Sequence, residues 1–542
     1  MKNEIVKKMS NVIMSVVMAS SVLAGCGDNS ENVSQTTGSE PAAASTETEL
    51  ASTQGEKVLK FGCFDYVDSI DPGKMTNSAW NCSRFGVGEC LFKFNDSMEA
   101  EPALCDKYEV SDDHITWTFH IRDGVKFSNG EELTAQKVVD SFERLYACDG
   151  SSTPESMMDY ASMAADDAAG TVTIVTNVAY PNLSKILAYP TFVILDVKNT
   201  TDYDAGAIGT GPYAITNMEP AVGASFVKNE YYWNGEVPFD RMELSFVNDS
   251  SAKTMALQSG QIDLAENITT VSDLETLKAD PDYYLTVANG VRCGFSYINE
   301  AGVLGNDSLR QAVQMAVDTD TLCNITIGGL YTPGYSVLPS NLSYNYDKLT
   351  NPYTYNVDAA NKLLDDAGIL DTDGDGIREL DGNNIVLNYI TYDNRGLSTL
   401  AEGVQLLLKD VGIGCEINST DADTEWNLMV AGEYDLCSSN WTTVGTGDPQ
   451  EYMANWYSKG TANYCNYKNE KYDELYDQLL EELDESKRID LITQMQQILI
   501  DDAAVLVHGY YNSSMCASKN ITGATIHTAD YYWITTEIKP AE

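Results

Sequence analysis

The residues whose type and spacing best suit them to hold something are the aspartates of Asp371-Thr372-Asp373-Gly374-Asp375-Gly376. Carboxylates at alternate positions of a Gly-rich loop can converge on calcium, and Glu379 takes loop position nine. Position twelve is Gly382, where an EF-hand requires a bidentate Glu. A Gly/Asp-rich turn between a helix and a strand therefore competes with a calcium site. His114 and His120 share one face of a predicted strand, but six extended residues separate them too widely for one metal. Besides Cys26 there are eleven cysteines, scattered without a CxxC, so neither a disulfide framework nor zinc is indicated. Catalytic signatures are missing: no nucleophile elbow, no HExxH and no phosphate-binding Gly-Lys-Ser/Thr loop. No cofactor is expected beyond the calcium candidate.

Cys26 has a chemistry of its own. Lys2, Lys7 and Lys8 precede a mostly apolar stretch from Met9 to Ala24 that is too short and too interrupted for a membrane span. It ends in Leu23-Ala24-Gly25-Cys26, the pattern of a lipobox at which a signal peptide is removed and the thiol acylated. Residues 1–26 are thus expected to be a lipoprotein signal. The mature chain would be tethered at Cys26 to the extracytoplasmic face of a bacterial membrane. Residues 27–56 carry almost no large apolar side chain and read as a flexible stalk, with a reach of roughly 30 Å.

The elements that must position any site lie in the remaining residues, of the order of 485 and enough for two or three domains. Strand-like and helix-like segments alternate, the mark of an α/β fold. Ile115 to Ile121 alternates with a period of two. Thr134 can cap a helix whose Val138, Val139, Phe142 and Leu145 share a face. Ser308 and Gln311 form a capping-box pattern, and a helix from Asn356 to Ala367 is stopped by Gly368. Leu475, Leu479 and Leu483 make one stripe, and a further helix follows Ser486. With 33 basic against 81 acidic residues, nucleic acid is excluded as a partner.

An ordered series of segments resembles the bacterial solute-binding proteins of family 5, which serve peptide and nickel importers. The series runs through Glu101-Pro102-Ala103-Leu104, Trp117 to Gly130, Ile208-Gly209-Thr210-Gly211-Pro212-Tyr213, and Lys228 to Trp233. It continues with Ala256 to Asp263, Arg310-Gln311-Ala312, Tyr434-Asp435-Leu436, Trp441 with Asp448-Pro449, and Tyr472 to Leu475. The resemblance implies a two-lobed periplasmic-binding-protein type II fold with an extra domain inserted in lobe one. Lobe one would be 57–90, 201–298 and 513–542, the inserted domain 91–200, and lobe two 299–512. It also implies a non-enzymatic monomer that captures a short peptide by hinge closure and passes it to an ABC permease. The alternatives are a nickel complex or another small polar solute and, in another class, an extracellular hydrolase with a paired-carboxylate cleft.

The same resemblance nominates site residues. Trp441 would stack on the ligand. Peptide-binding relatives place an Asp three residues after this Trp, where the chain has Val444, so Asp448 is the substitute carboxylate. Arg395 lies in the loop before the helix that contains Glu402, where an Arg can pair with a carboxylate. Trp80 and Asn81 fall in a first-lobe loop that contacts ligand. The Arg and His contacts of nickel-chelate relatives are replaced here by Thr191 and Gln450, which argues against that particular design.

Overall fold

The structure is a computed structural model that describes residues 55–64, 69–150 and 153–542. The signal, Cys26 and nearly all of the stalk lie outside the described residues.

Strand β1 (Val58–Cys63) leads into helix α1 (Thr76–Arg84), where the Ser78 hydroxyl accepts from the Met75 N–H and donates to the Asp71 carbonyl. A separate antiparallel sheet follows, built from β2 (Cys105–Val110), β3 (Thr116–Ile121), β4 (Tyr160–Asp166) and β5 (Thr171–Thr176) in the order β2-β3-β5-β4. Its alternation buries Trp117 and Phe119, and helix α2 (Ala135–Ala147) covers them with Val138, Phe142 and Leu145. Thr134 caps α2 as expected, whereas His114 sits in a left-handed turn before β3. The short helix α3 (Leu183–Ile186) completes this unit.

The main sheet has eleven strands. Its first-lobe side contains β1, β6 (Tyr213–Glu219), β7 (Gly223–Lys228), β8 (Arg241–Phe246) and β9 (Leu264–Glu266). Two long strands, β10 (Tyr283–Ile298) and, near the C-terminus, β15 (Val505–Ser518), pair antiparallel along most of their length. The second-lobe side adds β11 (Tyr331–Thr332), β12 (Val386–Tyr392), β13 (Gly414–Thr420) and β14 (Leu436–Thr442). The order is β13-β12-β14-β10-β15-β9-β1-β8-β7-β6, with β11 on β15.

Strands β10 and β15 therefore belong to both lobes. Their register breaks between Ala288 and Arg292. Gly290 sits in the break, where a Cβ would lie 1.8 Å from the Tyr511 carbonyl, so no larger residue fits. Val291 ties the junction together. Its N–H donates to the Thr528 carbonyl at 3.1 Å, and its own carbonyl accepts from the Thr443 N–H at 3.0 Å.

Helix α4 (Asp307–Ala316) is capped by Asn306, whose side chain accepts from the Leu309 N–H. The Ser308/Gln311 capping box expected from sequence is thus displaced by a stronger Asx cap two residues earlier. Helix α5 (Val357–Asp366) is capped by Asn356, whose side chain accepts from the Ala359 N–H, and the expected stop Gly368 is left-handed. Helix α6 (Leu397–Lys409) follows β12. Helix α7 (Gln450–Met453) is a single turn, and α8 (Glu470–Glu481) and α9 (Glu485–Asp501) form a pair. Asp484 caps α9 two residues before Ser486.

Candidate functional site

Where the lobes meet, a cavity of about 220 Å³ is lined by Trp80 of α1, Tyr189, Arg292 of β10, Asn440 and Trp441 of β14, and Glu451 of α7. Trp441 is half-buried and packs on Tyr452, with ring centroids 6.2 Å apart. Trp80 meets Tyr531 at 5.3 Å and Tyr189 edge-on at 6.4 Å. Aromatic faces thus enter from both lobes. Two polar atoms on this wall find no partner among the described residues: Asn440 Oδ1 and Thr442 Oγ1. Buried polar atoms are ordinarily satisfied, so a set of orphans around one cavity is what a ligand's hydrogen bonds would complete.

The nominated residues divide. Trp441 and Trp80 reach the cavity, but Asn81 lines none of the cavities described. A helix turns about 100° per residue, so Trp80 and its neighbour face different ways. Asn81 is buried and donates to the Ser69 carbonyl at 3.4 Å, whereas Arg84, one turn on, stacks against Trp80 at 5.1 Å.

Asp448 lines the cavity but its charge is used within the protein. Arg488 of α9 donates to its Oδ2 at 2.9 and 3.1 Å, and the Gln450 N–H binds its Oδ1 at 2.9 Å. The carboxylate that faces the cavity without a hydrogen bond or ion pair to a described residue is Glu451, one position into α7. Surrounding protein pushes its carboxyl above the ordinary range by desolvation. Sequence reasoning missed Glu451, because in so acidic a chain nothing local marks it.

Arg395 takes a left-handed backbone, φ 49°, unusual for a residue with a Cβ. Its guanidinium lies 5.6 Å from the Tyr511 ring centre. It lines a neighbouring cavity of about 590 Å³ together with Tyr511 and Lys253. Lys253 is satisfied there by the Glu266 and Asn267 carbonyls at 2.7 and 3.0 Å. A third cavity, of about 510 Å³, opens beyond Asp448 and Glu451 between the four-stranded unit and α9. Lys185 of α3 bridges its mouth to Glu485 at 3.0 Å.

Arg292 was not foreseen either. It lies directly opposite Tyr511 in the β10–β15 ladder, so the two side chains share a face of the sheet. The only hydrogen bond of its guanidinium to a described residue is to the Asn440 carbonyl, at 3.0 Å. Burial first, and then the nearby charge of Arg395, pull its pKa down to about 10.

Of the other sequence candidates, Thr191 is fully buried and Gln450 accepts from Arg488. Carboxylate oxygens of Asp371, Asp373 and Asp375 lie within 4.8 Å of one another on an exposed loop. No helix among the described residues is long and apolar enough to cross a membrane.

Known proteins share this architecture. Residues 99–464 match the bacterial extracellular solute-binding proteins, family 5 Middle. The chain is 26% identical over 453 residues to the nickel-binding protein NikA of Staphylococcus aureus, covering 83% of this chain and 88% of that one. It is 24% identical over 518 residues to the dipeptide-binding protein DppE of Bacillus subtilis, covering 89% and 92%. A crystal structure of NikA from Brucella suis in complex with Fe(III)-EDTA superposes with a TM-score of 0.79 at 21% identity, over 90% of this chain and 100% of that one. With two thirds of its length matched, and with paired lobes enclosing an aromatic cavity, the chain belongs to the bacterial extracellular solute-binding proteins of family 5.

Proposed function

We propose that this protein captures short peptides between its two lobes and delivers them to the membrane permease of an ABC importer. The observation that carries the reading is Glu451. It is a carboxylate without a hydrogen bond or ion pair to a described residue, set at the Trp441 cavity where a peptide's ammonium would neutralise it. The aromatic walls supply apolar contact, and the orphaned Asn440 and Thr442 atoms supply hydrogen bonds to a peptide backbone. Solute touching both lobes favours the closed state by its differential affinity, with β10 and β15 as the hinge. Micromolar capture needs about −8 kcal/mol. Residues 91–200 act as the inserted domain, and acylated Cys26 holds the protein at the cell surface. It works as a monomer and performs no covalent step.

A nickel complex is the second reading, favoured by the likeness to the staphylococcal nickel-binding protein. Among the described residues no His or Cys lines the 220 Å³ cavity, so nickel would enter it inside an organic chelate. A thermal-shift screen of di- to pentapeptides and of nickel chloride with and without L-histidine separates the two. At a hundredfold excess over Kd the true ligand adds about 2.7 kcal/mol of stability. Peptides are expected to give the shift, and Trp441→Ala to reduce it. A shift from the nickel–histidine complex with none from any peptide would replace the peptide reading.

A further inference from the structure

The chain carries a formal charge of −48, yet the cation at the centre of its cleft is left without a carboxylate. Four other buried or half-buried cations are matched by a carboxylate, whereas Arg122, away from the cleft, has the Ala103 carbonyl and the Trp233 ring. Arg84 is held by Asp530 at 3.0 Å, Arg144 by Asp71 at 2.7 Å, Arg488 by Asp448 at 2.9 Å, and Lys137 by Asp196 at 3.3 Å. Arg292 makes no ion pair with any described residue and spends one donor on a backbone carbonyl. Its guanidinium carbon lies 6.0 Å from the Trp80 ring centre, at the outer limit of a cation–π contact, and the residue lines the cavity. Tyr511, its cross-strand neighbour, has the Arg395 guanidinium at 5.6 Å over its ring. Two cations therefore converge on one tyrosine, and burial first, then the Arg395 charge, disfavours the charged form of Arg292. A guanidinium retained in such a place is stabilised by an anion that arrives from outside.

We propose that Arg292, at the hinge break of β10, is a specificity-determining residue that receives an anionic group of the solute, a carboxylate, beneath Trp80. The solute then carries its negative end at Arg292 and its positive end at Glu451. The charge of the outer surface, which would favour cations, is opposed at this point. Because Arg292 stands at the register break joining the lobes, the anion also lies where closure is geometrically decided. This inference rests on the reading of the cleft as the solute site, and it holds for a carboxylate-bearing solute of any kind.

The test uses the full chain and three probes: trialanine, trialanine amide, and sodium succinate compared with sodium chloride at equal ionic strength. Titration calorimetry should show trialanine at least tenfold tighter than its amide. In Arg292→Gln the two should bind within twofold of each other, and Arg292→Lys should restore part of the difference. Succinate should raise the melting temperature of the wild type and leave that of Arg292→Gln unmoved. If neither tripeptide binds while the succinate shift is present and is lost in Arg292→Gln, the peptide reading falls and the anion site stands. Equal affinity for trialanine and its amide in the wild type, or discrimination undiminished in Arg292→Gln, overturns the proposal. So does the absence of a succinate shift.

Discussion

Two arginines face the aromatic wall around Trp80, and they are treated in opposite ways. Arg84 is fully buried, donates to the Asp530 carboxylate at 3.0 Å and to the Asp530 carbonyl at 2.8 Å, and lies 4.5 Å from the Trp533 ring centre. Arg292 has one carbonyl and no carboxylate. The first is built into the fold, since its partner is supplied by a segment 446 residues away. The second is held ready, since what it lacks is what a solute brings. A matched cation and an unmatched one within a single wall separate structural from functional charge more clearly than composition does.

That contrast can be broken from the structural side first. Arg84→Met strands Asp530 as a buried, unpaired carboxylate and should cost about 3–5 kcal/mol. Urea unfolding would show it; a loss below about 1 kcal/mol would mean that the pair is dispensable. Next in size is the acidic counterpart, Glu89, which accepts from Trp233 Nε1 at 2.9 Å and Thr210 Oγ1 at 2.8 Å and forms no ion pair within 4 Å of a described cation. Burial raises its pKa from 4.5 to about 7. The folded state then holds this proton more tightly than the unfolded state, so its contribution to stability falls as pH rises from about 4.5 to 7. The loss approaches about 3 kcal/mol above pH 7, and Glu89→Gln should flatten the slope in chemical denaturation at pH 5, 6, 7 and 8. An unchanged slope would place the proton elsewhere. The smallest effect is expected at Arg292. Without solute, Arg292→Met should alter stability by no more than about 1 kcal/mol, because one hydrogen bond is exchanged for relief of an unfavourable burial. A loss as large as that of Arg84→Met would erase the distinction.

The α/β character was legible in strand alternation and helix stripes, and the two lobes through the ordered segments that resemble family 5. Thr134 announced the start of its helix, and Gly368 the end of another, by local chemistry alone. The cleft was legible only in part. Trp80 and Trp441 came through likeness and reached the cavity. Asp448 reaches the cavity too, but its pairing with Arg488, forty residues further on, is marked by no local pattern. Arg292 and Glu451 were invisible for a related reason. What singles them out is the lack of a partner, and a missing contact leaves no mark on sequence spacing.

The strap formed by Thr528, Asp530 and Tyr531 has a consequence for the order in which the molecule is made. Thr528 accepts from Val291 at the hinge, Asp530 closes on Arg84, and the Tyr531 hydroxyl donates to the Gly445 carbonyl at 2.9 Å. Helix α1 and its tryptophan emerge from the ribosome early, but the wall behind them is unfinished until residue 531 has followed. Contacts of such sequence separation form late, after the local units have folded. The wall of the pocket is thus completed only once residues 528–531 have been made, and a chain stopped short of them lacks the contacts that join Val291, Arg84 and Gly445.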